Sequence, residues 1–270
     1  MRRSVISKIL LTLCVALILA YTGFVIWEFS YADSKQICTE MDVNLNDKTG
    51  IRLISEYEIA KIIDASGLNP IGSKYQNIST DAIEKELLRN DMIRYAECYK
   101  LTTGKVVIDV VQRTPKYLIA GNQSYYVDSE RKIMPISLNY AVYVPVVSGR
   151  VLRNMASNEI FDFVSYIEKD TFWNAQIEQI FIRDDLKVEL IPRVGNAVIM
   201  LGKFDNFEKK LTNLQALYQK GLNVVGWTRY NKIDLQYHGQ IVCTKTGSKP
   251  IIVHKPDTAV IKDSIALKKI

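Results

Sequence analysis

The chain has 270 residues, of which 48% are hydrophobic and 24% charged, and its formal net charge is +6 at pH 7. This balance is typical of a globular protein and excludes a chain that is disordered throughout. Four cysteines do not make a disulfide framework, and two histidines give no basis for a zinc site. The cysteines are therefore interpreted as small buried residues, with a Cys38–Cys98 bridge as the alternative.

The N-terminus predicts a membrane anchor. Residues 1–8 carry three basic side chains and no acid, and the uncharged run Ile9–Trp27 follows. This run is long enough to span a bilayer as one helix, and its positive flank keeps the first eight residues in the cytoplasm. The alternative is a signal peptide cleaved after Ala32. With either interpretation, the chain beyond a linker at 28–36 lies outside the cytoplasm.

Residues 37–114 predict a compact two-layer α+β module with the order strand, helix, helix, strand, strand. The first helix follows Ser55, which has the spacing of a capping box with Glu58, and stops at Gly67. A second amphipathic helix is predicted over residues 79–90. It should bury three apolar side chains together, Ile83, Leu87 and Leu88.

Residues 115–244 predict a larger β-rich α+β module interrupted by two helices. One helix is expected over residues 158–172, and another begins near Asp205 and ends at Gly221. The final predicted strand, Tyr230–Cys243, alternates apolar and polar side chains. No later segment obviously pairs with this strand, so its outer edge is expected to be uncovered. Residues 245–270 are expected to form a disordered basic tail.

The sequence contains no recognisable catalytic or cofactor-binding motif. The two histidines, His238 and His254, lie in the final predicted strand and in the tail. The acidic pair Asp184 and Asp185 falls in a predicted turn between strands, where an exposed turn is the simpler interpretation. Glycine-rich phosphate loops and nucleophile elbows are missing from the sequence. We therefore expect no enzyme activity, no cofactor, no metal, no nucleic acid and no small-molecule substrate.

Three stretches resemble motifs of the FtsQ/DivIB family of bacterial cell-division proteins. Residues 111–128 are similar to the V-x-R-x-P junction and the Tyr-x-Val-Asp turn of that family. Residues 198–214 and 233–242 resemble two further family patterns. The junction and turn positions to which we give a structural role are Arg113, Pro115, Val127 and Asp128.

The resemblance implies a POTRA domain at residues 37–114 and an FtsQ-type β-domain at 115–244. It further implies a single-pass inner-membrane scaffold, with a cytoplasmic N-terminus and periplasmic domains, that is enriched at the division septum. FtsB-like and FtsL-like division proteins are the implied partners, and the family receives FtsB by strand addition. The expected partner-binding residues form one continuous stretch: Asp234, Leu235, Gln236, Tyr237, His238, Gly239, Gln240, Ile241 and Val242.

Two departures and three alternatives accompany this resemblance. Gln236 replaces a family arginine, and residues 129–131 replace a turn glycine. The edge could instead be purely structural, with the tail folded over it. The protein could also be a POTRA-containing component of protein secretion or outer-membrane assembly, or an anchored hydrolase or transglycosylase.

Overall fold

The computed structural model describes residues 13–27, 36–46, 50, 52–137 and 140–247. The predicted cytoplasmic segment 1–8, nearly all of the linker and most of the tail lie outside these residues. The described part of the predicted anchor, residues 13–27, is helical (α1). Among the described residues, no helix is both long enough and apolar enough to cross a membrane. The chain divides into two compact units, Met1–Gln112 and Arg113–Ile270.

The first unit has the predicted order of elements. It contains β1 (Glu40–Leu45), α2 (Glu56–Ala65), α3 (Thr80–Leu87), β2 (Ile93–Lys100) and β3 (Lys105–Gln112). In the described residues, the three strands form one sheet in the order β1–β3–β2. β1 is parallel to β3, whereas β2 is antiparallel to it. The predicted α+β arrangement of this unit is confirmed.

Local capping signals explain where the helices of the first unit begin. The Ser55 hydroxyl accepts the Glu58 N–H at 3.2 Å, and the Glu58 carboxylate accepts the Ser55 N–H at 2.8 Å. α3 buries Ile83 and Leu87 against the sheet, but Leu88 is 47% exposed. The prediction for Leu88 was wrong because the helix ends at Leu87 and Leu88 lies at its C-cap.

Two cysteines belong to the core of the first unit. Cys38 and Cys98 are both buried free thiols. The Cys38 thiol donates to the carbonyl of Glu40 at 3.3 Å. Burial raises the pKa of Cys98 to about 12, so this thiol stays protonated at neutral pH.

The described part of the second unit forms one nine-stranded sheet in the order β12–β11–β10–β9–β8–β7–β4–β5–β6. Its strands in chain order are β4 (Pro115–Ala120), β5 (Tyr125–Asp128), β6 (Ile133–Met134), β7 (Val146–Gly149), β8 (Ile177–Ile182), β9 (Val188–Pro192), β10 (Val198–Gly202), β11 (Tyr230–Asp234) and β12 (Val242–Lys245).

The helices of this unit differ in detail from the prediction. They are α4 (Arg153–Ser157), α5 (Glu159–Lys169), α6 (Thr171–Gln176), α7 (Phe207–Leu217), a π-helical turn (Tyr218–Leu222) and α8 (Asn223–Val225). The predicted helix at 158–172 is α5 followed by α6. The break falls at Asp170, whose carboxylate accepts the N–H groups of Phe172 and Trp173 and so starts a new helix.

The core of the second unit consists of helix side chains packed on alternate residues of the sheet. Phe163, Trp173 and Leu211 are fully buried and contribute from the helices. The strands contribute residues such as Ile199 and Ile233. Because alternate strand residues point to one face, this packing gives a helix layer on a β-rich sheet, as the sequence predicted.

Candidate partner-binding edge

The predicted final strand is two antiparallel strands. β11 ends at Asp234, residues 235–241 form a connection, and β12 then returns alongside β11. The pairs include Asp234 with Val242 and Ile233 with Cys243. The expectation that no later segment pairs with β11 was therefore wrong. Gly239, with φ of 75°, lies in the connection that reverses the chain.

The nine predicted partner-binding residues therefore do not form one uncovered strand. Only the first and last, Asp234 and Val242, lie in strands. Leu235 is buried in the core, and its N–H donates to the carbonyl of Met200 at 2.9 Å. The N–H of Gln236 donates to the Asp234 carboxylate at 3.1 Å. These bonds occupy the N–H groups of Leu235 and Gln236, two of the groups that the prediction assigned to a partner.

The remaining predicted residues lie in the connection. Tyr237 is 53% exposed, unlike Ile233 and Leu235, with which it alternates in the sequence. His238, Gly239 and Gln240 are also exposed. The alternating pattern thus continues into a segment that has left the sheet, which explains why periodicity alone overextended the strand.

β12 is the outermost strand at one side of the sheet. Within the described part of the chain, no residue pairs with the side of β12 that faces away from β11. The N–H of Thr246 donates to the carbonyl of Arg229 at 2.9 Å, across the same ladder. Because backbone groups alternate in direction along a strand, those of Thr244 face β11 and those of Cys243 face outward. This outward side of β12 is hereafter the β12 edge.

The side chains around the β12 edge are partly apolar. Val242 is 43% exposed. Cys243 is half-buried against the core, and this burial raises the pKa of its thiol. The opposite side of the sheet ends in β6, which has two residues (Ile133–Met134). β12 is thus the longer of the two outer strands and the better template for an added strand.

A basic groove lies at the Val242 end of β12. Its cavity measures about 430 Å³ and lies between the connection 235–241 and the start of α7. Its four basic side chains are Lys187, Lys203, Lys209 and Lys210. We call this cavity the basic groove. The predicted residues Leu235 to Ile241 all line it, so the structure brings most of the predicted site to its wall.

Sequence inspection missed the basic groove, although the charge distribution carries a signal. Residues 190–247 contain eight basic and three acidic side chains, whereas the whole chain has a net charge of +6. This segment is therefore net positive, and it contains three of the four groove lysines. The groove itself could not be found this way because its lysines come from different connections and a helix.

The family-type junction forms a buried ion pair. The Arg113 guanidinium donates to the Asp128 carboxylate at 2.8 Å. The other oxygen of Asp128 accepts the N–H groups of Glu130 and Lys132 at 2.8 and 2.7 Å. Arg131 has φ of 67° and takes the left-handed position, so the turn forms without glycine. Asp128 thus fixes the connection between β5 and β6.

The other two residues of this motif lie in the same hairpin. Pro115 begins β4 and is paired with Asp128 of β5. Val127 is fully buried in the core of the second unit. All four residues therefore hold local structure, and they lie in β4, β5 and the residues just before β4.

The described residues contain no group of three potential ligands that could hold a metal ion. Asp185 pairs with Arg183 and Lys187 in the turn between β8 and β9, at 3.3 and 3.4 Å. This turn is a network of exposed ion pairs. The feature of the second unit that best suits recognition is the β12 edge with its adjoining groove.

The chain is thus a two-unit α+β protein: a strand–helix–helix–strand–strand unit is followed by a β-rich unit whose β12 has no outer pairing partner among the described residues. Residues 36–111 match a family model described as a POTRA-like domain, and residues 114–244 match one described as FtsQ/DivIB, C-terminal related. No curated protein matches the chain. The chain belongs to the FtsQ/DivIB family, whose members are non-enzymatic division scaffolds. Membership suggests a cell-division role.

Proposed function

We propose that this protein is a bitopic divisome scaffold. In this proposal, Ile9–Trp27 anchors it in the inner membrane, residues 1–8 remain in the cytoplasm, and the two units occupy the periplasm at the septum. It binds FtsB-like and FtsL-like proteins and so links early and late division proteins. Family membership and the uncharged apolar run support the proposal.

The observation that carries the partner proposal is the β12 edge. A strand from an FtsB-like partner would pair with β12, in place of the Asp234–Val242 segment that the sequence indicated. Backbone hydrogen bonds would set the register, and side chains such as Val242 and Thr244 would select the partner. Pairing would also cover an edge that otherwise promotes aggregation.

The substitution Cys243→Pro tests the β12 edge. Proline removes the outward N–H of residue 243 and places its ring where a partner strand would lie. We expect binding of the FtsB-like protein from the same organism to weaken at least about tenfold, or about 1.4 kcal/mol. Cys243→Val is the matched control because it keeps the N–H and an apolar side chain. Titration with the full-length protein measures both.

A second variant guards against a folding defect at position 243. Tyr237 is exposed in the connection that leads into β12, so Tyr237→Ala should weaken the same binding without altering the core. Hydrogen exchange in β11 reports whether the hairpin is intact. If Cys243→Pro and Tyr237→Ala both bind like the unmodified protein while β11 stays protected, the partner does not use this edge.

A further inference from the structure

The basic groove adjoins the point where an added strand would leave the sheet. β12 begins at Val242, and the groove wall includes Gln240 and Ile241 immediately before it. A partner strand antiparallel to β12 would end at this point, and a parallel one would begin there. In either orientation, residues flanking the partner strand would lie next to the part of the groove wall formed by Gln240 and Ile241.

The charges of the groove are only partly compensated within the chain. Lys210 contacts the Asp205 carboxylate at 2.8 Å and the carbonyl of Lys203 at 3.0 Å. The Lys210 ammonium holds the pKa of Asp205 below its usual value, so this carboxylate is ionised and already bonded. Lys187 contacts Asp185 at 3.4 Å.

The other two lysines are compensated less, although the charge of Lys203 also helps to lower the pKa of Asp205. Lys203 and Lys209 are exposed, and neither forms an ion pair with a carboxylate of the described residues. The groove therefore carries more positive than negative charge. Like charges held together on a folded surface raise the local potential and favour an anionic group.

We propose that the basic groove receives acidic residues that flank the strand added by the partner to β12. This inference rests on the proposed function, because the partner must first occupy the β12 edge. A chain in extended form advances about 3.3 Å per residue, so the acidic residues proposed to enter the groove are those in the first few positions beyond the strand end. The partner segment is thus a short β-strand with an acidic flank.

The lysines of the groove have a different role from that of the β12 edge. Backbone pairing supplies most of the affinity and fixes the register. Charges at the rim of an interface act mainly on the association rate and on its dependence on salt. The groove would therefore accelerate encounter and distinguish an acidic-flanked strand from other strands of similar apolar pattern.

The double substitution Lys203→Glu and Lys209→Glu tests this role in the full-length protein. With the FtsB-like protein of the same organism as the probe, we expect the association rate to fall at least about fivefold at low salt. The difference should largely disappear at about 0.5 M salt, where charges are screened. The matched control is Lys169→Glu with Lys220→Glu, which makes the same change in net charge on exposed residues of the second unit outside the groove.

The outcomes separate the groove from the edge. An equal loss of association rate in the control variant would show that net charge acts without the groove, and this result would overturn the inference. Unchanged binding of the groove variant, with binding lost in Cys243→Pro, would also overturn it but leave the proposed function intact. Lysine substitution of the partner's flanking acids should restore binding to the groove variant. If Cys243→Pro and Tyr237→Ala both bind normally, both the edge and the inference fail.

Discussion

The ion pair of Arg113 and Asp128 shows how single residues shape the second unit. Asp128 is almost fully buried, yet its carboxylate accepts one guanidinium and two backbone N–H groups. A buried carboxylate is stable only when its oxygens are bonded, and here they are. Removal of the arginine would leave a buried charge with its backbone partners alone.

We predict that Arg113→Ala lowers the free energy of unfolding of the second unit by about 2 to 4 kcal/mol. Glu130→Gln is the matched control, because Glu130 contacts the same guanidinium at 3.2 Å from a more exposed position. Its effect should be about 1 kcal/mol or less. Hydrogen exchange in β4 and β5 of the full-length protein measures both variants. Equal effects would contradict a special role for the buried pair.

Helix starts in the first unit could be predicted because their signals are local. Ser55 and Glu58 satisfy each other's backbone groups within one turn, so the sequence spacing is sufficient. The ends of helices were harder to predict from the sequence than their starts. The helix expected to stop at Gly221 continues through a π-helical turn and α8, and Gly226, with φ of 94°, follows instead. A glycine ends a helix only where its backbone adopts a positive φ, as Gly226 does and Gly221 does not.

The β11–β12 hairpin could be only partly predicted. The sequence identified the correct region, because alternation is strong from Tyr230 to Asp234. The sequence pattern indicated Asp234–Val242 as the edge instead of β12, because the same alternation continues through the connection to Val242. Whether a segment stays in the sheet depends on contacts such as that between Leu235 and Met200, which connect distant parts of the chain.

Neighbouring leucines at the end of α3 allow a direct test of the helix packing in the first unit. Leu87 is fully buried, whereas Leu88 is 47% exposed. Leu87→Ala should therefore lower the free energy of unfolding by about 2 to 5 kcal/mol, because it leaves a cavity against the sheet. Leu88→Ala, the matched control, should change it by about 1 kcal/mol or less. Thermal unfolding with hydrogen exchange of residues 52–112 distinguishes them, and similar losses would contradict the observed orientation of α3.

At the scale of the molecule, each unit combines a sheet with helices. The second unit also contains a net-positive segment and the β12 edge. Residues 190–247, the segment that includes β10, α7, β11 and β12, carry eight basic and three acidic side chains. The proposed recognition surface therefore lies in the second unit. A partner in the periplasm could reach this surface only if the chain crosses the membrane ahead of both units, so the orientation of the chain is part of the proposal.

The proposed orientation rests on the apolar run Ile9–Trp27 and its basic flank, and it can be tested in cells. A reporter that is active only outside the cytoplasm should be active when fused after Ile270, and the mature protein should begin near Met1. The variant Leu17→Arg with Leu19→Arg is the control, because two central arginines should disfavour insertion by roughly 5 to 7 kcal/mol. This variant should keep the reporter inactive in the cytoplasm. A mature N-terminus at Asp33 would instead identify a cleaved signal peptide and contradict the retained anchor.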